Sequence, residues 1–317
     1  MGPSEAEIHR AVDRGLKWLA GQQTRLGCWF GPNKRYAAAM TGMAGIALCC
    51  EGSTTTQGRY SLQIRRGVDY LTAQSNPNGL IGDPHDDRYI YGHGFAMLFL
   101  SQALGEEEDA DRRTVLVDVL ERAVAFSAAA QTEAGGWGYV SAKEGNDFDE
   151  GSTTITQVQG LRGCRNAGIV VPKEIIDRAV GYIHRCTGQD GGVQYNIKGG
   201  GGRPAITAAA IACLYNAGEY DDEYVPKLMG FCKKNLGNLS NNSMSYWHYA
   251  HYYYSQVMYR GDENDWKQYR NLISRRILSE SLSAGNWEEG YNGAVYTTSI
   301  NLTILQLDKG LLPIYQK

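Results

Sequence analysis

The sequence predicts an all-α chain of 317 residues folded as one (α/α)6 toroid over residues 1–317, six helical hairpins closed into a ring. Three observations predict it. A Gly-rich turn pattern recurs about every fifty residues. Each copy follows an amphipathic helix pattern and precedes a second helix richer in small and apolar residues. Neither end carries the polar capping repeat that an open solenoid needs, so closure is favoured over an unclosed array.

The turn pattern is clearest in Gln23-Thr24-Arg25-Leu26-Gly27-Cys28-Trp29, in Gln131 to Trp137 and in Ser281 to Trp287, with fainter copies at 74–80 and 187–193. The helix before it shows apolar residues three to four apart, as in Leu16, Trp18 and Leu19, or Ala179, Tyr182 and Ile183. Glycine then stops that helix at a sharp reversal. The second helices are expected at 37–48, 92–104, 152–164, 205–217 and 297–307. The fifth unit is degenerate, with residues 231–237 expected at the turn and 246–259 as the second helix. The second helices are expected to line a central cavity.

The pattern Gln-x-x-x-Gly-x-Trp in repeated helix pairs resembles the QW motif of squalene–hopene cyclases, within the wider prenyltransferase and squalene-oxidase repeat superfamily. The resemblance runs from about residue 5 to 310. It implies the toroid, and a structural role for Trp29, Trp137 and Trp287. In class II terpenoid cyclases an Asp-x-Asp-Asp motif stands at the mouth of an inner helix, and its middle Asp protonates an alkene or epoxide. The matching residues here are Asp147, Asp149 and Glu150, with Glu in place of the last Asp. The resemblance therefore implies Asp149 as the acid, assisted by Asp147 and Glu150.

Neighbouring carboxylates and burial both disfavour ionisation, which such an acid needs. A helix N-terminus works the other way. His93 or His251 could hold the proton in place. The same residues also read as an ordinary helix cap, since Asp before a helix with Glu in its first turn is a common N-terminus.

A cation-guiding cavity needs aromatic walls. The candidate lining is Tyr89, Tyr91 and Phe95 in the second unit, Tyr246, His248, Tyr249, His251 and Tyr252 in the run from Ser245, and Tyr291 and Tyr296 in the sixth. Thr153 and Thr156 add polar wall. Twenty-one tyrosines against six phenylalanines make this lining wetter than hydrocarbon chemistry wants. His248 and His251 could take a metal only with a third ligand such as Asp149 or Glu289. His85-Asp86-Asp87-Arg88 places acidic and basic groups near the same mouth, and the loop 199–202 with Arg203 could hold an anion such as a diphosphate.

No cofactor is expected, with Mg2+ accompanying the substrate if that is a diphosphate. The expected partner is a small isoprenoid or another cavity ligand. A net charge of −3 argues against nucleic acid. No apolar run reaches the length of a membrane span. Seven cysteines without a Cys-x-x-Cys pair favour a reducing, cytoplasmic compartment, and a leader removed ahead of this start would leave export open. The competing functions are a non-catalytic ligand- or protein-binding toroid, a toroid carbohydrate lyase or hydrolase using Asp and Glu, and a zinc prenyltransferase-like enzyme. The last lacks an Asp-x-Cys pair.

Overall fold

Six helical hairpins account for the twelve α-helices of the computed structural model, which describes residues 2–145, 147–237, 239, 246–288 and 290–316. The first member of each hairpin is α1 (Glu5–Gly21), α3 (Ser61–Ala73), α5 (Ala110–Ala130), α7 (Lys173–Cys186), α9 (Val225–Leu236) and α11 (Glu263–Ser279). The second is α2 (Ala37–Cys49), α4 (Tyr89–Glu106), α6 (Gly151–Asn166), α8 (Pro204–Ala217), α10 (Trp247–Arg260) and α12 (Gly293–Gln306). Ser245 and Glu289 lie outside the described residues.

The two sets differ because they face different solvents. Outer helices bury one stripe, such as Ile8, Ala11, Val12, Leu16 and Leu19 of α1, and α1, α5 and α11 begin with side-chain caps. In α1, Ser4 Oγ accepts from Glu7 N at 3.3 Å while Glu7 Oε2 accepts from Ser4 N at 2.7 Å, a capping box. Inner helices are buried nearly all round, as α2 is from Ala39 to Cys49. Small residues let them approach closely: a Cβ on Gly94 of α4 would lie 2.7 Å from Thr156 O of α6.

Each inner helix packs on the next, α2 on α4, α4 on α6 and so on through α10 and α12, and α12 returns to α2. Gln306 Nε2 donates to Ala47 O at 3.1 Å across that seam. Outside it, Arg270 of α11 pairs with Glu5 of α1 at 2.6 Å. The ring is closed, as expected from the absence of capping repeats.

The turns repeat in detail. Gly27, Gly79, Gly135, Gly191 and Gly285 all have φ between 84° and 94°, where a side chain is strained. Gln23 Nε2 bridges Gly27 O and Gln63 O, both at 2.8 Å, and Gln131 Nε2 bridges Gly135 O at 2.8 Å and Ile175 O at 2.9 Å. The indole N–H groups of Trp29, Trp137 and Trp287 donate back to Leu19 O, Ser127 O and Ile277 O at 2.7, 2.8 and 2.7 Å. The unit is thus tied to its own outer helix and to the next.

Two expectations are corrected. Residues 231–236, expected at the fifth turn, are the last turns of α9, because Leu228, Cys232 and Leu236 continue a buried helical stripe. The sixth inner helix begins at Gly293 rather than near 297.

Candidate functional site

The inner helices point their N-termini to one end of the ring, reached by the turns above. The opposite end is closed by the C-terminal tail. Tyr315, in a 3-10 turn (Pro313–Tyr315), places its hydroxyl 3.0 Å from that of Tyr252. Arg260, buried at the foot of α10, donates to Asn216 Oδ1 at 3.1 Å and to Ile314 O.

The barrel axis between these ends is filled. The ring of Phe95 on α4 lies 6.4 Å from that of Tyr252 on α10, the helix directly opposite. Tyr252 and Tyr249 each pack edge-on against Tyr253, at 4.8 and 4.9 Å. Gln159 of α6 reaches Gln256 of α10 at 2.8 Å. The gap left beside Met43, Tyr252, Ser299, Ile300 and Thr303 does not admit a water. Tyrosine fills space well when its hydroxyl has a partner. The hollow expected within the ring is therefore packed core at these levels, with Phe95 and Tyr252 inside it.

The acidic motif is split three ways. Asp147 has φ 57° and accepts from Glu133 N at 2.9 Å on the outside of the turn. Asp149, 6% exposed, accepts from Tyr182 Oη of the outer helix α7 at 2.7 Å. Glu150 is the residue that caps α6: its oxygens accept from Ser152 N at 3.1 Å and Thr153 N at 2.7 Å. The cap expected at Asp149 thus sits one residue later. Glu150 faces the mouth, where Tyr91 Oη donates to it at 2.9 Å and also touches Ser152 Oγ. Burial and the adjacent Glu150 hold the Tyr91 hydroxyl well above the usual phenol range.

His93 stands away from this motif. Its Nδ1 accepts from Ile81 N at 3.0 Å, the place taken by Thr41, Thr154, Thr207 and Thr298 in other units, where each Oγ1 accepts a turn N–H. Its Nε2 meets Ala123 O and Ser127 Oγ, both at 3.1 Å. Burial pushes its pKa down to about 4. His251 likewise turns outward, with Nδ1 2.7 Å from Tyr269 Oη of α11, and burial takes its pKa to about 3. His248 lies 3.3 Å from Asn301 Oδ1 between α10 and α12. The two histidines serve different interfaces, not one face. Among the described residues no three His, Cys, Asp or Glu side chains group as a metal-binding set.

Thr153 and Thr156 donate to backbone carbonyls, Trp137 O at 2.5 Å and Thr153 O at 2.8 Å, and are buried within the wall. Tyr89 is buried too, donating to Glu144 Oε2 at 2.6 Å and accepting from Ser141 N at 2.7 Å. The mouth keeps Tyr91, Tyr249, whose hydroxyl donates to Ser152 O at 2.8 Å, and half-buried Tyr296. Tyr246 and Tyr291 are exposed, at 68% and 82%. Arg203 lies over the Tyr195 ring at 4.6 Å and Arg88 over the Tyr139 ring at 4.7 Å.

Beside this mouth lies a groove of about 550 Å³ between the N-termini of α2 and α4, lined by Tyr36, Tyr70, Asn76, Asp83, Asp86 and Asp87 among others. A turn with Asp86 N to Asp83 O at 3.1 Å brings three carboxylates to its wall. Asp87 is gripped by Arg35 at 2.6 Å. Burial first, and then Asp87 beside it, raise the Asp86 pKa above the usual carboxylate range. The His85 backbone N–H, donating to Asp83 Oδ1 at 2.9 Å, lowers that of Asp83. The sequence marked 85–88 as a charged loop; what it lacked was the partial burial of Asp86 and the groove beside it.

No family model matches this chain, and no curated protein matches it. Solved structures do. The type II terpene cyclase MstE from Scytonema, in its apo form, is 13% identical, covers 97% of this chain and 100% of its own, and superposes with a TM-score of 0.65. The α-1,6-mannanase GH76A from Salegentibacter sp. HEL1_6 is 9% identical, covers 96% of this chain and 99% of its own, with a TM-score of 0.67. A glycosidase at 12% identity covers 98% of this chain and 100% of its own, with a TM-score of 0.65. At these identities the likeness is one of fold: the chain is an α/α toroid.

Proposed function

We propose that this toroid is a carbohydrate-processing enzyme, a hydrolase or lyase, whose substrate lies in the groove between α2 and α4. One observation carries the reading: two carboxylates in a single turn, Asp86 and Asp83, are pushed to opposite sides of their usual range and line the same polar groove. Groups separated in this way fit the two halves of acid–base chemistry at a glycosidic bond. Asp86 donates the proton to the departing oxygen. Asp83 takes one from water or from the sugar. Burial first, with Asp87 beside it, favours the protonated form of Asp86, Arg35 holds Asp87 in place, and Tyr36 and Tyr70 give rings for sugar faces.

A panel of oligosaccharides, read by release of reducing or unsaturated ends, tests it. Asp86→Asn is expected to lower kcat by about 10²–10⁴-fold, the usual worth of a positioned general acid. Turnover unchanged in that variant removes Asp86 from the role.

The cyclase reading keeps buried Asp149 within a motif of the right type. The packed axis and the turn of Asp149 toward Tyr182 weigh against it, since an isoprenoid needs an apolar chamber below the acid. Linear isoprenoids belong in the same assay, with Asp149→Asn as the control; product lost in that variant would restore it.

A further inference from the structure

Two inner helices begin with arginine at the position that usually carries a cap acceptor. Arg88 is the N-cap residue of α4 and Arg203 that of α8, neither makes a side-chain cap, and neither helix has an acid in its first turn. Outer helices α1, α5, α7 and α11 all carry acids there. A cation at a helix N-terminus opposes the helix dipole, so the arrangement is unfavourable until a negative group arrives. Both side chains are exposed, and among the described residues neither forms an ion pair with a carboxylate.

Both are braced. The Arg88 guanidinium lies over the Tyr139 ring and that of Arg203 over Tyr195, at 4.7 and 4.6 Å, and the hydroxyls of those two tyrosines touch. Phe148 packs against both rings, at 5.6 and 6.3 Å. Stacking on a ring orients a guanidinium while leaving its N–H edge available for bidentate binding of an oxyanion. Glu150, two residues after Phe148, is occupied by the α6 amides, Tyr91 and Ser152.

We propose that Arg88 and Arg203 form an anion subsite at the mouth of the ring, taking the carboxylate or sulfate of an acidic oligosaccharide that extends from the groove. The saccharide part rests on the function proposed above; the anion part does not. Arg88 follows Asp87 directly, so one ligand can span acid pair and subsite.

Calorimetric titration of the full chain with oligogalacturonate, with a neutral oligosaccharide of equal length and with farnesyl diphosphate tests both parts. The acidic sugar is expected to bind about tenfold tighter than the neutral one. That preference should shrink as salt rises from about 20 to about 200 mM. Arg88→Gln and Arg203→Gln should each erase most of it, and Arg88→Lys should keep part. Equal binding of acidic and neutral sugars, a preference that survives both glutamine variants, or no binding of either anionic probe overturns the proposal. If no sugar binds but farnesyl diphosphate does, and loses affinity in both glutamine variants, the anion subsite stands and the carbohydrate function falls.

Discussion

Phe95 and Tyr252 meet across the diameter of the ring, their centroids 6.4 Å apart although they sit on opposite inner helices. Such a contact makes the barrel axis part of the core. Tyr252→Ala is expected to destabilise the protein by about 3–5 kcal/mol, as large aromatic truncations do where the surroundings cannot collapse. Denaturant unfolding reads it. A cost below about 1 kcal/mol would mean the axis is loosely filled.

The bond from Tyr182 to Asp149 gives a second expectation. Tyr182→Phe leaves a buried carboxylate without its hydroxyl donor and should cost about 1–3 kcal/mol. Saccharide turnover should be unchanged. A collapse of activity with normal stability would place Asp149 in the chemistry instead.

Turn glycine is constrained twice over. Gly135 has φ 94°, and a Cβ there would lie 2.4 Å from Arg178 O of the next outer helix. Gly135→Ala should cost more than the about 1–2 kcal/mol of left-handed strain alone. Gly168, also at positive φ but with nothing within 4 Å, should show only the strain on the same change. Thermal unfolding of the two variants separates clash from strain.

His93 predicts an acid sensitivity. Burial sets its folded pKa at about 4, below the ordinary 6.5, so as pH falls the unfolded chain takes the proton first. Stability is full above about pH 6.5 and is lost as pH drops toward 4, by about 3 kcal/mol from this group. His251, lowered to about 3, acts in the same direction. His93→Thr, the residue type found at this place in four other units, should remove about half of the histidine-derived loss between those values, read as unfolding free energy against pH.

How much of this the sequence made legible depends on what periodicity encodes. Repeated Gly27, Gly135 and Gly285 with their tryptophans carry the hairpin and its copy number, because the turn itself requires them. Direction is carried less well. Asp149 and Glu150 are neighbours where the chain enters a helix, so one meets α7 and the other the mouth, and no spacing rule says which. The tyrosine run 252–254 reads equally as wall or as filling, since that depends on what the opposite helix brings, here Phe95. The threonines that hold the turns, with His93 in their place, did leave a signal: each follows its turn by about one helix entry. Outer-helix basic residues do too. Arg66, Arg122 and Arg178 donate to carbonyls of the preceding turn.

Asp86 is proposed as the acid that works on sugar in the rim groove. The most direct measurement is kcat against pH for the wild type and Asp86→Asn on whichever oligosaccharide the panel selects. The wild type is expected to show a basic limb above the usual carboxylate range, following the raised Asp86 pKa, and the variant to lose that limb along with most of the rate. An identical profile and rate in the two proteins would contradict it.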